Sequence, residues 1–163
     1  MISFFLLLEN NFMKKVLLGF TFALLAQNIF AAEECTINYH ANDELSDQIQ
    51  EDGFSFENYD EVCELLEKAK ASVSINYNSS ITNNQTIAAV FIRVKDSDRP
   101  IYSTYTNSNM DWSSTRTTAE EKELVWSLVN STISEINQSD IDGLNENRKE
   151  LRVLVYPTVS KKF

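Results

Sequence analysis

The sequence predicts a small α+β protein, built as a mostly antiparallel sheet with one long amphipathic helix packed on it. Three observations support this class. Residues 73–77 alternate apolar and polar side chains, and residues 86–95 are largely apolar, as strands are. Residues 118–136 repeat apolar side chains at the spacing of a helix that buries one face. The chain also has only two cysteines, Cys35 and Cys63, and a disulfide between them would stabilise one small core.

The N-terminal region has the layout of a secretory signal peptide over residues 13–31. Lys14 and Lys15 form a positively charged start, and an uncharged apolar run follows at residues 16–26. This run is shorter than the roughly 20 apolar residues that cross a bilayer as a helix. We therefore expect cleavage after Ala31 rather than retention of the segment as an anchor helix.

Cleavage would leave residues 32–163 as one exported domain, with residues 1–12 an upstream extension that plays no part in the fold. A periplasmic or secreted location follows, without stable membrane insertion after cleavage. In an oxidising compartment Cys35 and Cys63 are expected to form a disulfide. The alternative, a lipidated Cys35, is disfavoured by the glutamates that precede it. The disulfide would stabilise the fold by about 3.5 kcal/mol in the chain-entropy model.

The first part of the domain is expected to contain one strand and two helices. Residues 35–39 alternate as a first strand, and a short, weakly periodic helix follows with Leu45 and Ile49 on one face. Asn58 and Glu61 then form a capping box that opens a clear helix containing the second cysteine. The disulfide would therefore tie this helix to the start of the domain.

The sheet is expected to form from three consecutive strands. Residues 73–77 provide the first, and residues 86–95, apolar on both faces, provide a central strand covered on both sides. Residues 101–106 would pair back after a turn that ends at Pro100. The result is a three-stranded meander, with room for further edge strands.

The last part combines a polar loop, the long helix and a late strand. Residues 107–117 have the composition of a loop, and Thr118 with Glu121 forms a capping box for the strongest amphipathic helix of the chain. Ser139 is expected to cap a short segment after this helix, and Gly143 is expected to break it. Residues 151–156 then alternate as a late strand.

The charge of the chain restricts its partners. Without its first 31 residues the chain has 12 basic and 23 acidic residues, a net charge of −11. Such a surface repels phosphate backbones and anionic lipids, which argues against nucleic acid and membrane surfaces as partners. A basic protein is the natural partner, and solubility alone is the alternative explanation.

The sequence shows no catalytic, cofactor-binding or metal-binding motif. Gly53 and Gly143 are too few glycines for a P-loop or a dinucleotide fingerprint. His40 is the single histidine, which excludes multi-histidine zinc sites and favours a surface or packing role. Residues 140–149 begin like a calcium loop, but Lys149 stands where a glutamate is required, so helix capping is the better interpretation. A carboxylate pair for glycoside hydrolysis remains open among the many acids.

These features predict a non-enzymatic protein-binding module, such as an inhibitor or immunity-type protein for a basic partner. An accessory protein for secretion or surface-structure assembly is the alternative, followed by a small cell-wall hydrolase. The candidate partner-binding residues are Met110, Asp111 and Trp112. Met110 and Trp112 are large apolar residues in a polar stretch with no periodic apolar partner, and such residues are typical of interface anchors. The competing interpretation folds Trp112 back over the sheet as part of the core.

Overall fold

The computed structural model describes residues 35–157. These residues form four helices and a four-stranded mixed sheet, so the predicted α+β class is confirmed. The strands are β1 (Tyr39–His40), β2 (Ala71–Ile81), β3 (Thr86–Asp96) and β4 (Asn107–Ser113). The helices are α1 (Asp43–Asp52), α2 (Tyr59–Lys68), α3 (Thr118–Ser134) and α4 (Gln138–Glu150). The predicted signal peptide and its cleavage site lie outside the described residues.

The sheet has the strand order β1-β2-β3-β4. Strands β2 and β3 pair antiparallel along their whole length, and β4 pairs antiparallel with the first part of β3. The short β1 runs parallel to β2, with Tyr39 opposite Val73. Because parallel neighbours require a crossover, α1 and α2 both lie in the connection between these two strands.

The core lies on one face of the sheet, against the helices. The even-numbered side chains of β3, from Thr86 to Asp96, are buried. The apolar ones among them share one cluster with Val125, Val129 and Ile133 of α3. The odd-numbered side chains of β3 are exposed or half-buried. The expectation that this strand is covered on both sides is therefore wrong, because an antiparallel sheet can leave one face to solvent.

The third strand of the predicted meander is also a correction. Residues 101–106 contribute only an isolated bridge between Tyr102 and Lys95, while the residues expected to be a loop form β4. The polar sequence of β4 was misleading because an edge strand needs no apolar alternation when little of it is buried. Residues 151–156, predicted as a late strand, form a turn and irregular segment.

Helices α1, α2 and α3 lie where the sequence predicts helices, but the predicted caps of α2 and α3 are wrong. Asn58 makes no side-chain cap to α2, and its amide instead donates to the Ser134 carbonyl at 3.0 Å. Helix α3 is capped one residue earlier than predicted, by Thr117, whose hydroxyl accepts the Glu120 N–H at 3.2 Å. At α3 the neighbouring threonine accepts a free N–H of the first turn, as a cap does, whereas the amide of Asn58 is a donor to another element and does not cap α2.

Helix α4 runs through Gly143 instead of breaking there. A methyl group at this position would lie 2.5 Å from Thr104 Oγ1 and 2.8 Å from Ser103 Oγ. Glycine therefore allows the close approach of the segment before β4 to the helix. The acidic stretch does cap a helix, since Asp140 and Asn137 form a capping box at the start of α4, but the cap is Asn137 and not the predicted Ser139.

Two long-range links hold the helical layer in place. The predicted disulfide joins Cys35 to Cys63, with 6.0 Å between their Cα atoms, and so ties the start of the described chain to α2. At the other end, the fully buried Arg148 of α4 contacts Asp96 Oδ2 through Nε at 2.8 Å and through Nη2 at 2.7 Å.

The remaining donors of Arg148 are also satisfied. Nη1 donates to the Ala69 carbonyl at 2.9 Å and to Asn145 Oδ1 at 3.0 Å, and Nη2 donates to the Lys70 carbonyl at 2.9 Å. Four hydrogen bonds and the ion pair with Asp96 thus engage all three nitrogens of this guanidinium. One side chain connects α4, the end of β3 and the turn between α2 and β2.

Candidate interaction surface

The sheet face opposite the helices carries an uncovered apolar patch. We call this side the open face; it comprises the odd-numbered side chains of β3 from Ile87 to Arg93, with their cross-strand neighbours on β2 and β4. The register places Trp112 opposite Ile87 and Met110 opposite Ala89. Residues that pair in this way point to the same side of a sheet, so these four side chains and Phe91 lie on one surface.

The large side chains of this patch are exposed to solvent. The exposed fraction is 74% for Met110, 62% for Trp112 and 40% for Phe91. Trp112 therefore does not fold back into the core, contrary to the competing interpretation. The role of Trp112 and Met110 in binding a partner stays a prediction, and the structure places them where a partner can reach them.

Asp111 points to the other side of the sheet from its two neighbours. It pairs with Ala88, whose side chain faces the helices, and its own side chain is exposed. Asp111 Oδ1 accepts the backbone N–H of Trp112 at 2.8 Å. The three predicted contact residues thus divide into two apolar side chains on the open face and one carboxylate behind it.

Sequence reasoning missed the contribution of β3 to this patch. Ile87, Ala89 and Phe91 were assigned to a buried second face of a central strand. The available signal was Arg93 and Lys95 at the same alternation, because charged residues rarely continue a buried face. Arg93 donates to the Ser103 carbonyl at 2.8 Å and lies over the Tyr102 ring, so it marks the solvated end of the open face.

Strand β4 is the last strand of the described sheet, and half of its backbone groups point outward. Strand β2 occupies one side of β3. The backbone hydrogen bonds of Val94 and Asp96 go to residues 101–103, so they lie on the opposite side, where β4 pairs with β3. Backbone direction alternates along a strand, so the even-numbered residues of β3 face their partners in β4. The residues of β4 that direct N–H and C=O away from the sheet are consequently Ser108, Met110 and Trp112. We call these outward groups the free edge.

The charges near β4 differ between its two sides. The strand residues of the open face include no acidic residue, whereas Asp111 and Glu135 lie on the helix side of β4. Glu135, at the end of α3, is exposed and its Oε1 accepts from Asn109 Nδ2 at 2.9 Å. The free edge is therefore bordered by apolar side chains on one side and by carboxylates on the other.

A cavity of about 200 Å³ lies elsewhere, between α1, β2 and the start of α3. Its lining includes Glu44 and Lys122, which form an exposed ion pair with 2.8 Å between Oε1 and Nζ. The hydrogen bond and charge of Lys122 lower the pKa of Glu44, and those of Glu44 raise the pKa of Lys122. The cavity is smaller than the roughly 300–1,000 Å³ of typical ligand sites, and its two charges already neutralise each other.

The single histidine and the metal-ligating side chain types form no candidate metal site among the residues that the structure describes. His40 is exposed at the end of β1. Within residues 35–157, no three His, Cys, Asp or Glu side chains form a group that could hold a metal ion. In the same part of the chain, no helix is long and apolar enough to span a membrane.

No family model, curated protein or solved structure matches this chain.

Proposed function

We propose that this chain is an exported, non-enzymatic module that binds another protein through the open face of its sheet. The observation that carries the proposal is the uncovered group of Phe91, Met110 and Trp112 on one side of a regular sheet. Contiguous apolar patches on a protein surface mark interaction sites more often than isolated apolar residues do.

The composition of the patch favours a protein as the ligand. Tryptophan, other aromatic residues and methionine are enriched at protein interfaces, and tryptophan is frequent among the residues that dominate binding energy. The patch is carried by strands with a regular register instead of a deep pocket, so it suits a broad contact. A small ligand would find no enclosing walls among these side chains.

The acidity of the chain supports a basic partner, such as an enzyme that an inhibitor or immunity-type protein would neutralise. The signal-like segment at residues 13–31 and the disulfide between Cys35 and Cys63 support an exported location. An accessory role in secretion or surface-structure assembly would use the same surface. The identity of the bound protein separates these roles.

The test compares two variants with equally exposed apolar side chains. Trp112→Ser removes the anchor of the open face, and Leu151→Ser, just after α4, is the matched control because both side chains are 62% exposed. A protein captured from an extract of exported proteins by the wild-type chain is identified, purified and titrated against each variant. We expect Trp112→Ser to weaken binding by about 2 kcal/mol or more, roughly 30-fold, and Leu151→Ser to leave it unchanged.

Thermal unfolding of the two variants provides the structural control. Trp112→Ser should shift the free energy of unfolding by less than about 1 kcal/mol, because most of the side chain is already in solvent. Equal affinity of wild type and Trp112→Ser for the captured protein would reject the open face as the binding surface.

A further inference from the structure

The free edge of β4 offers backbone hydrogen bonds as well as side-chain contacts. Ser108, Met110 and Trp112 direct their N–H and C=O groups away from β3, and no further strand pairs with β4 among residues 35–157. An extended segment of another protein can pair with such an edge and extend the sheet. The backbone supplies affinity in this binding mode, and the side chains supply specificity.

The two sides of the free edge would contact alternate residues of an incoming strand. Side chains of a strand alternate between the faces of the sheet, so one set would lie beside Met110 and Trp112 on the open face. The other set would lie on the side of Asp111 and Glu135. The chemistry of the edge is therefore complementary to a segment that alternates apolar residues with lysine or arginine.

Asp111 controls access to this edge. Its carboxylate occupies the outward N–H of Trp112, at 2.8 Å, and places a negative charge where an added strand would run. An acidic strand would meet repulsion there, and a neutral one would displace Asp111 from the Trp112 N–H without gaining an ion pair in return. A lysine or arginine of the incoming strand can instead pair with the carboxylate and release the Trp112 N–H for pairing.

We propose that β4 accepts an extended segment of a basic partner as an added antiparallel strand, whose apolar side chains cover the open face and whose basic side chains contact Asp111 and Glu135. This inference rests on the proposed protein-binding function and names the form that the bound segment takes. An antiparallel arrangement is preferred because β3 and β4 already pair in this way, and antiparallel pairs are the more stable per residue.

A second copy of this chain is a poorer occupant of the same edge. Pairing β4 with its own copy would bring two Asp111 carboxylates to one strand interface, and each copy would add its net negative charge. Like charges across a strand pair are destabilising. The charge of the chain therefore selects a partner of opposite sign.

The probes are short synthetic peptides in which valine alternates with lysine, or with glutamate as the acidic counterpart. In an antiparallel pair, residues that exchange hydrogen bonds directly have side chains on the same face. The valine N–H groups would therefore point to Ser108, Met110 and Trp112, and the lysine N–H groups would point away. Two further lysine peptides carry N-methyl groups, one on the valine amides and one on the lysine amides.

We expect the unmethylated lysine peptide to bind the intact protein and the glutamate peptide to show no binding, by calorimetry and by shifts of the β4 amide resonances. Methylation of the valine amides should weaken binding by about tenfold or more, because several backbone hydrogen bonds are lost together. Methylation of the lysine amides should have little effect. Equal binding of both methylated peptides, or greater sensitivity to lysine-amide methylation, would overturn antiparallel strand addition.

Two charge variants separate local recognition from overall acidity. Asp111→Asn should weaken binding of the lysine peptide by about fivefold. Asp60 is an exposed acid on α2, and Asp60→Asn should leave the affinity for this peptide unchanged. Equal losses in the two variants would show that only net charge matters and would overturn the role of the edge. Thermal unfolding of both variants checks that the fold is intact.

The outcomes for this inference and for the protein-binding function are distinct. If Trp112→Ser abolishes capture of a partner but N-methylation has no effect, strand addition fails and the open face remains a binding surface. If neither change has an effect, both proposals fail. Sedimentation that shows a concentration-dependent dimer, strengthened in Asp111→Asn, would assign the edge to a second copy and overturn the proposal of a basic partner.

Discussion

Replacing Arg148 with methionine should lower the free energy of unfolding by about 3–5 kcal/mol. Methionine fills similar space without charge or hydrogen-bond donors. Arg148 is fully buried and the Asp96 side chain is 8% exposed, so the substitution leaves a carboxylate in the interior without its cation. A buried charge without its counter-charge is among the most destabilising single changes in proteins.

The hydrogen bonds of Arg148 explain why the loss of stability can approach the upper end of this range. The carbonyls of Ala69 and Lys70 would lose the donors that Arg148 supplies at 2.9 Å each. Asp96 would keep the backbone N–H of Asp98, at 3.0 Å to Oδ1, but would lose both contacts to Oδ2. These losses overlap with the loss of the ion pair, so they are not added to it.

Urea unfolding at neutral pH, with the disulfide intact, measures the effect. A loss of 4 kcal/mol lowers the unfolding midpoint by roughly 2 M when the slope is about 2 kcal/mol per molar urea. Arg99→Met provides the matched control, since Arg99 is exposed in the turn after β3, and it should change stability by no more than about 0.5 kcal/mol.

A double-mutant cycle tests the reasoning behind the number. Asp96→Leu combined with Arg148→Met removes both charges, so it should be less destabilising than the sum of the single changes by more than about 1 kcal/mol. If Arg148→Met alone does not fold, the double variant still reports the recovery. A single loss under about 1 kcal/mol, or strictly additive losses, would refute the view that Arg148 is held by a buried ion pair.

Three other changes test separate features of the structure. A variant with both cysteines replaced by serine should lose about 3.5 kcal/mol in urea unfolding, and an unchanged midpoint would show that the loop closure contributes nothing. Gly143→Ala should destabilise by about 1–3 kcal/mol in spite of the better helix propensity of alanine, since the new methyl group meets the segment before β4; equal or higher stability would contradict the close packing. The carboxyl group of Glu44 should titrate below its ordinary pKa because of the hydrogen bond and charge of Lys122. The ion pair therefore stabilises the fold above the ordinary pKa of the carboxyl group, and this stabilisation is lost as the pH falls through the lowered pKa. Carbon NMR should show the Glu44 midpoint rising in Lys122→Met, and a midpoint that does not move would remove Lys122 as the cause.

Helices α1 to α3 and the disulfide could be predicted from the sequence because their signals are local, whereas the segment that forms α4 was expected to break at Gly143. Leu45 and Ile49 share one helical face, and both are buried in α1. The disulfide is predicted from the presence of two cysteines and the expected oxidising compartment, and the structure contains it. Periodicity and covalent chemistry are read within a few residues, so they survive without knowledge of the tertiary structure.

The open face could not be predicted because it depends on which elements the chain places against the sheet. An apolar strand looks the same in sequence whether one face or both faces are covered, and Phe91 was therefore assigned to the interior. The strand β4 was missed for the related reason that its position at the edge removes the need for alternation. Met110 and Trp112 were identified as unusual, but only the register with β3 shows that they continue a larger patch.

The open face also gives the acidity of the chain a colloidal role. A protein with an uncovered apolar sheet face and an unpaired edge strand tends to precipitate by stacking and edge pairing. At neutral pH the net charge of −10 keeps the molecules apart, but this repulsion disappears near the isoelectric point of about 4.5. The solubility of the chain should therefore fall steeply in mild acid, and Trp112→Ser should reduce that fall by making the face more polar.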